Sequence, residues 1–179
     1  MKKLSLEDLQ RASIEEFKAA KKNPIVVILD NVRSAMNVGS FFRTCDAFAV
    51  EKLILTGITA TPPSREINKT AIGATESVEW AYHENVVDAI NNVQNEGYLV
   101  AGVEQTTNSK MLGQFSIPLQ KTALVFGNEV DGLHTDIFPL LDYGIEVPQF
   151  GTKHSLNVAV CGGIVIWEFA HLFFNKKED

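Results

Sequence analysis

Short runs with an almost unbroken apolar stretch punctuate this chain: PIVVILD, KLILT, YLVAGV, TALVF and YGIEV, each broken by a polar or glycine-containing turn. A run with no polar face must be covered on both sides, which is the situation of a central strand in a parallel sheet flanked by helices. The segments between the runs carry helical patterns, as in SFFRTCDAFA and ENVVDAINNVQNEG, the latter stopped by Gly97. Strands alternating with helices predict a single α/β domain with a mostly parallel sheet. At 179 residues the chain is long enough to bury one sizeable core.

Two units are expected, a helical arm over residues 1–22 and the α/β domain over 23–179. In the arm, Ser5 followed by Asp8 resembles a capping box, with Leu6, Leu9 and Phe17 on one face of a helix ending near Lys22. After the first strand, a polar loop holding Asn37 and Gly39 leads into a helix whose Phe41, Phe42, Cys45 and Phe48 face the core, with Arg43 between them. Residues 57–74 read as the longest irregular stretch and carry Arg65 and Lys69; long loops in compact domains are usually functional or mobile. SVEWAY is a further strand, and a short helix is expected around residues 134–141.

The chemistry concentrates near the C-terminus, where the last strand stops at Pro148 and a Gln-Phe-Gly-Thr-Lys-His loop delivers Ser155, Leu156 and Asn157 to the mouth of an apolar helix. Free N–H groups there, with the Ser155 and Asn157 side chains, make a donor-rich rim for an anion or a polar cofactor edge. By spacing alone the segment reads equally well as a strand, a loop and a capped core helix. A second strand end of the same kind, LVFGNEVDGL at 124–133, places glycine and polar residues beside it, and two such ends suggest one pocket.

Several classes are excluded. No GxGxxG follows the first strand, no GxxxxGK[ST] occurs, and Ser155 has no GxSxG setting. Cys45 and Cys161 have no CxxC partner or His/Cys cluster, so they are expected as reduced thiols and no metal is expected. The net charge of −6 gives no global nucleic-acid signature, so any phosphate contact must be local. MKKLSLEDLQ lacks an apolar leader core, which makes the cytoplasm the default location. The last helix, 156–174, is apolar on several faces yet carries Asn157, Glu168 and His171 and barely matches a bilayer. It reads as a core helix with a second, subunit-facing surface, and a homodimer is expected.

Three ordered segments, NVGSFFRTCDAFA (37–49), LVFGNEVDGL (124–133) and VPQFGTKHSLNVAVCGGIVIWE (147–168), resemble the motifs of the SpoU/TrmH family of the SPOUT superfamily. The resemblance extends over residues 24–167. It implies an RNA ribose 2′-O-methyltransferase using S-adenosylmethionine, and a C-terminal trefoil knot. It assigns Gly127, Val147 and Leu156 to the adenine end of the cofactor, with Glu104 toward the methionine or ribose end. Asn37, Arg43, Glu129, Ser155 and Asn157 would line the reaction site, Arg43 reaching RNA held by the partner subunit, oriented by Glu129 and Asn37. Phe48-Ala49 stands where the family commonly has Phe-Gly, so the turn there is expected to avoid positive φ. RNA would be gripped by basic residues of the arm and by Arg33, Arg65, Lys69 and Lys153. The resemblance favours transfer RNA over ribosomal RNA; the alternative is a non-catalytic RNA-binding module that keeps the fold.

Overall fold

The computed structural model describes residues 1–5 and 8–174. Its strands are β1 (Asn23–Asp30), β2 (Val50–Thr56), β3 (Trp80–His83), β4 (Leu99–Val103), β5 (Lys110–Met111), β6 (Thr122–Phe126) and β7 (Tyr143–Glu146). They form one sheet in the order β3-β2-β1-β6-β4-β7-β5, and every neighbouring pair is parallel. The helices are α1 (Ile14–Ala19), α2 (Ala35–Ala47), α3 (Arg65–Ala71), α4 (Ala74–Ser77), α5 (Val86–Asn95) and α6 (Val158–Phe174), with a 3-10 turn at Thr135–Leu140.

The apolar runs feed two cores, because successive side chains of a strand point to opposite faces. Ile25, Val27 and Leu29 of β1 join Leu53, Leu55, Leu124 and Phe126 beneath α2 and α6. Val26 and Ile28 join Ile54, Ala123 and Val125 beneath α5, which contributes Ala89, Ile90 and Val93. On the first face α6 crosses α2 closely: a Cβ on Gly162 would run into the Phe41 ring. Phe41 in turn packs on Phe126, ring centroids 5.0 Å apart, so the crossing is anchored to the sheet.

Four expectations need correction. Ser5 and Asp8 do exchange hydrogen bonds, at 2.8 and 3.2 Å, but the chain only turns there. The arm's helix starts later, at a capping box where Ser13 and Glu16 satisfy each other's backbone N–H groups (2.7 and 3.2 Å), and Leu6 lies outside the described residues. Asn37 and Gly39 belong to α2 itself, whose N-cap is Ser34. The stretch at 57–74 is not irregular: it holds all of α3 and the start of α4, and Ser64 caps α3. Ala49 does not avoid the left-handed region; its φ is +48°.

Helix α6 buries Val165, Ile166, Phe169 and Ala170, while Val160, Ile164 and Trp167 stay 54%, 41% and 48% exposed. Those three recur at helical spacing and form one apolar stripe. Trp167 rests against Phe48 at the end of α2, centroids 5.4 Å apart, which ties the stripe to that end of the helix. Among the described residues, no helix is long and apolar enough to cross a membrane.

Candidate active site

Three adjacent strands, β6, β4 and β7, end on the same side of the sheet, as parallel strands must, and their C-terminal loops enclose a cavity of about 480 Å³. This lies within the range of roughly 300–1,000 Å³ usual for small-molecule sites. Of the residues singled out in the sequence, Glu104, Gly127, Glu129, Val147, Ser155, Leu156 and Asn157 line it. The two strand ends do make one pocket, with β4 supplying a third wall.

The loop after β6 is shaped by close approach. A Cβ on Gly127 would overlap the backbone of Gly132 and Leu133, so only glycine fits. Asn128 accepts from the N–H groups of Val130 and Asp131, both at 2.8 Å, and pairs with Gly132 through backbone bonds of 3.1 and 3.2 Å. Glu104, at the end of β4, accepts from the N–H of Leu133 (3.1 Å) and of Gln105 (2.8 Å), fastening this loop to its neighbour.

Glu129 reaches the N-terminus of α2. Its carboxylate accepts from the N–H groups of Arg33 (2.9 Å) and Ser34 (3.0 Å) and from the Asn37 amide (2.8 Å). An anion there also faces the positive end of the helix dipole. Desolvation pushes the Glu129 pKa up, but the hydrogen bonds from Arg33, Asn37 and Ser34 outweigh it and hold the carboxyl below its ordinary value. Asn157 donates to the Asn37 side-chain oxygen at 3.2 Å while its own oxygen accepts from Ala159 and Val160, capping α6. A continuous chain of polar contacts, Glu129–Asn37–Asn157, therefore joins the first turns of α2 and α6 across the cavity wall.

Arg43 is elsewhere. It lies on the exposed side of α2, in a separate hollow of about 440 Å³ with Ser40, Thr44, Phe48, Lys69 and Thr70. The expectation that Glu129 and Asn37 orient Arg43 is not met within the chain, because the Glu129 oxygens are engaged by the α2 N-terminus. A helix also turns about 100° per residue, so positions 37 and 43 face different sides.

Sequence reasoning missed Gln105 and the contribution of Cys161. Gln105 donates from its side chain to the His154 carbonyl at 2.6 Å, pinning the loop that carries Ser155. The signal was present, since Gln105 follows a strand end as Glu104 does. Cys161 lines the cavity; burial first and the nearby Glu104 charge second raise its pKa to about 11, so the thiol is neutral and inert. Both cysteines are free, as expected, and no cluster suited to a metal occurs among the described residues.

The cavity wall carries Glu104, Glu129, Asp131 and Glu146 and, among the described residues, no lysine or arginine, beside apolar Ile145, Val147, Leu156 and Val158. A parallel sheet covered on both faces, with such a cavity at its carboxyl edge, defines an α/β domain built to hold a small ligand with cationic and apolar parts. The family model described as the SpoU rRNA Methylase family matches residues 24–167, and the chain belongs to that family. It is 31% identical over 147 residues to the mouse tRNA (guanosine(18)-2′-O)-methyltransferase TARBP1, a match covering 81% of this chain and 9% of that protein. The Aquifex aeolicus TrmH/SpoU tRNA modifying enzyme superposes with a TM-score of 0.80 at 25% identity, covering 92% of this chain and 82% of that one. The AdoMet-bound rRNA methyltransferase from Sinorhizobium meliloti gives a TM-score of 0.77 at 28% identity, covering 84% of this chain and 57% of that one.

Proposed function

We propose that this chain is an S-adenosylmethionine-dependent RNA methyltransferase that modifies a ribose 2′-hydroxyl and works as a homodimer. The observation that carries the reading is the acidic cavity at the strand ends, wired through Glu129, Asn37 and Asn157 to the helix that bears Arg43. The donor fits this cavity. Its adenine suits the Val147 and Leu156 surface and the backbone edges near Gly127, and its cationic end suits Glu104, which keeps free lone pairs beyond its two backbone contacts. When bound, the donor supplies an electrophilic methyl on a positively charged sulfur.

The protein's task is then to align the ribose oxygen and to stabilise the charge that oxygen develops. Ser155 and Asn157 stand at the cavity mouth to orient the nucleotide, with Asn37 and Glu129 holding Asn157 in place. Arg43 clamps a phosphate and stabilises the developing alkoxide. It is not the base, because a guanidinium keeps its proton in proteins; the proton leaves to a phosphate oxygen or to water. Arg43 faces away from its own cavity, in a hollow whose Phe48 also packs on Trp167 of the α6 stripe, which supports its serving the partner subunit's site.

Transfer RNA is the proposed substrate. The likeness to the Aquifex tRNA enzyme, covering 92% of this chain and 82% of that one, supports a fold plan shared with that enzyme. The N-terminal segment acts as an accessory arm, and the packing of its helix α1 on α4 supports this. The C-terminal segment forms a trefoil knot; a path that leaves β7 at one side of the sheet and returns as α6 to pack on α2, β1 and β6 supports it.

Methyl transfer from labelled donor to transcribed tRNA tests the reading. Arg43→Ala should lower the rate by roughly 10²–10⁴. Arg43→Lys keeps the charge but loses the planar fork, so it should recover only part of the rate and follow the wild-type pH profile. Donor binding without transfer to any RNA would favour a binding module. Near wild-type rates of Arg43→Lys at alkaline pH would make this position a base.

A further inference from the structure

The donor cavity has an acidic wall, and the whole chain carries a net charge of −6. A polyanion cannot be held at that wall without strong repulsion, so RNA must be gripped where positive charge is concentrated. The hollow around Arg43 is such a place. Its shape depends on α3 lying hard against α2: a Cβ on Gly39 would overlap the Ile67 carbonyl and the Thr70 hydroxyl, and Thr70 donates to the Met36 carbonyl at 2.7 Å. This close crossing brings Lys69 to the hollow that Arg43 lines, with the hydroxyls of Ser40 and Thr44 on the same wall. Among the described residues Arg43 forms no salt bridge, and Lys69 is paired only with Glu66, at 2.6 Å, both side chains about half exposed (49% and 51%).

We propose that the α2–α3 hollow is a phosphodiester subsite for the RNA substrate, in which Lys69 supplies the second cation beside Arg43 and Glu66 holds Lys69 until RNA displaces it. The proposal rests on the RNA methyltransferase reading. An exposed ion pair one helical turn apart is weak in water, whereas a phosphate placed between Arg43 and Lys69 gains charge-assisted bonds from both. Exchanging Glu66 for phosphate is therefore favourable, and Glu66 competes with RNA for the same ammonium group.

Binding of transcribed tRNA by the 179-residue chain, measured across a potassium chloride series, tests this. Lys69→Gln should reduce the slope of log affinity against log salt by about 0.7–0.9, the loss of one neutralised phosphate. It should raise KM for RNA more than it lowers kcat and leave donor affinity unaffected, and Lys69→Arg should restore the slope. Glu66→Gln should tighten tRNA binding several-fold. An unchanged slope in Lys69→Gln, or unchanged or weaker binding in Glu66→Gln, would overturn the subsite. So would dissociation of the dimer by Lys69→Gln in sedimentation, because the hollow would then be a protein contact. Wild-type binding of tRNA without methyl transfer counts against the enzyme reading alone, and the slopes still decide the subsite.

Discussion

Ala49 sits at φ +48°, where a Cβ crowds the following carbonyl and costs an L-residue roughly 1–2 kcal/mol. Its neighbours fix it there. The Asn23 backbone N–H donates to the Ala49 carbonyl at 2.8 Å, the Asn23 side chain donates to Phe48 at 2.7 Å, and the Ala49 N–H reaches Asp46 at 3.2 Å. The turn from α2 into β2 leaves no other path, so the position is set by tertiary contacts and not by the preference of alanine. That is why a reading based on residue type failed here. Glycine would relieve the strain but lose about 0.5–1 kcal/mol more in chain entropy. Ala49→Gly should therefore raise stability by up to about 1 kcal/mol, seen as a higher urea midpoint with an unchanged m-value.

At the level of elements, the loop after β6 is latched to the N-terminus of α2 by the Glu129 carboxylate, which cannot be protonated without losing acceptor capacity. Its folded pKa lies below the ordinary value of 4.5. The contribution is thus complete above that value and is lost as pH falls through the folded pKa. Glu129→Gln should be less stable than wild type at neutral pH, with the gap closing in urea titrations below about pH 4.5. The latch was not legible in the sequence, where Glu129 and Asn37 lie far apart and only their types could be read. The strands were legible, because PIVVILD and TALVF have no polar face and must lie at the centre of the sheet. Helix α3 was hidden by the glycine, proline and threonine around it, although Ser64, its cap, was in plain view. β5 was invisible for another reason: Lys110–Met111 is an exposed edge pair with no apolar pattern. The cavity lining was legible at Gly127 because a glycine after a buried strand marks close approach, while the hydrogen bond from Gln105 to His154 depends on a fold no local pattern encodes.

For the molecule as a whole, the exposed stripe of Val160, Ile164 and Trp167 decides whether the proposed site is complete. Val160 and Ile164 are already about half buried, so covering the rest against a partner is worth about half of the roughly 1.5–3 kcal/mol that full burial of such a side chain gives. Ile164→Glu should give a monomer by sedimentation that still binds donor but no longer methylates tRNA, since the side chain is 41% exposed and its replacement spares the core. A fully active monomer would refute the two-subunit site. Helix α2 places Asn37 and Arg43 six residues apart, about 9 Å along its axis and on different sides. In the dimer proposed here its first turn belongs to one reaction and its exposed flank to the other. Each such helix is a rigid spar with its ends in two separate workplaces, so a tilt that tightens the grip at one end alters the aim at the other. Occupancy of the two centres then becomes one shared equilibrium: whatever the first ligand does to the affinity of the second, the second must do in equal measure to the first.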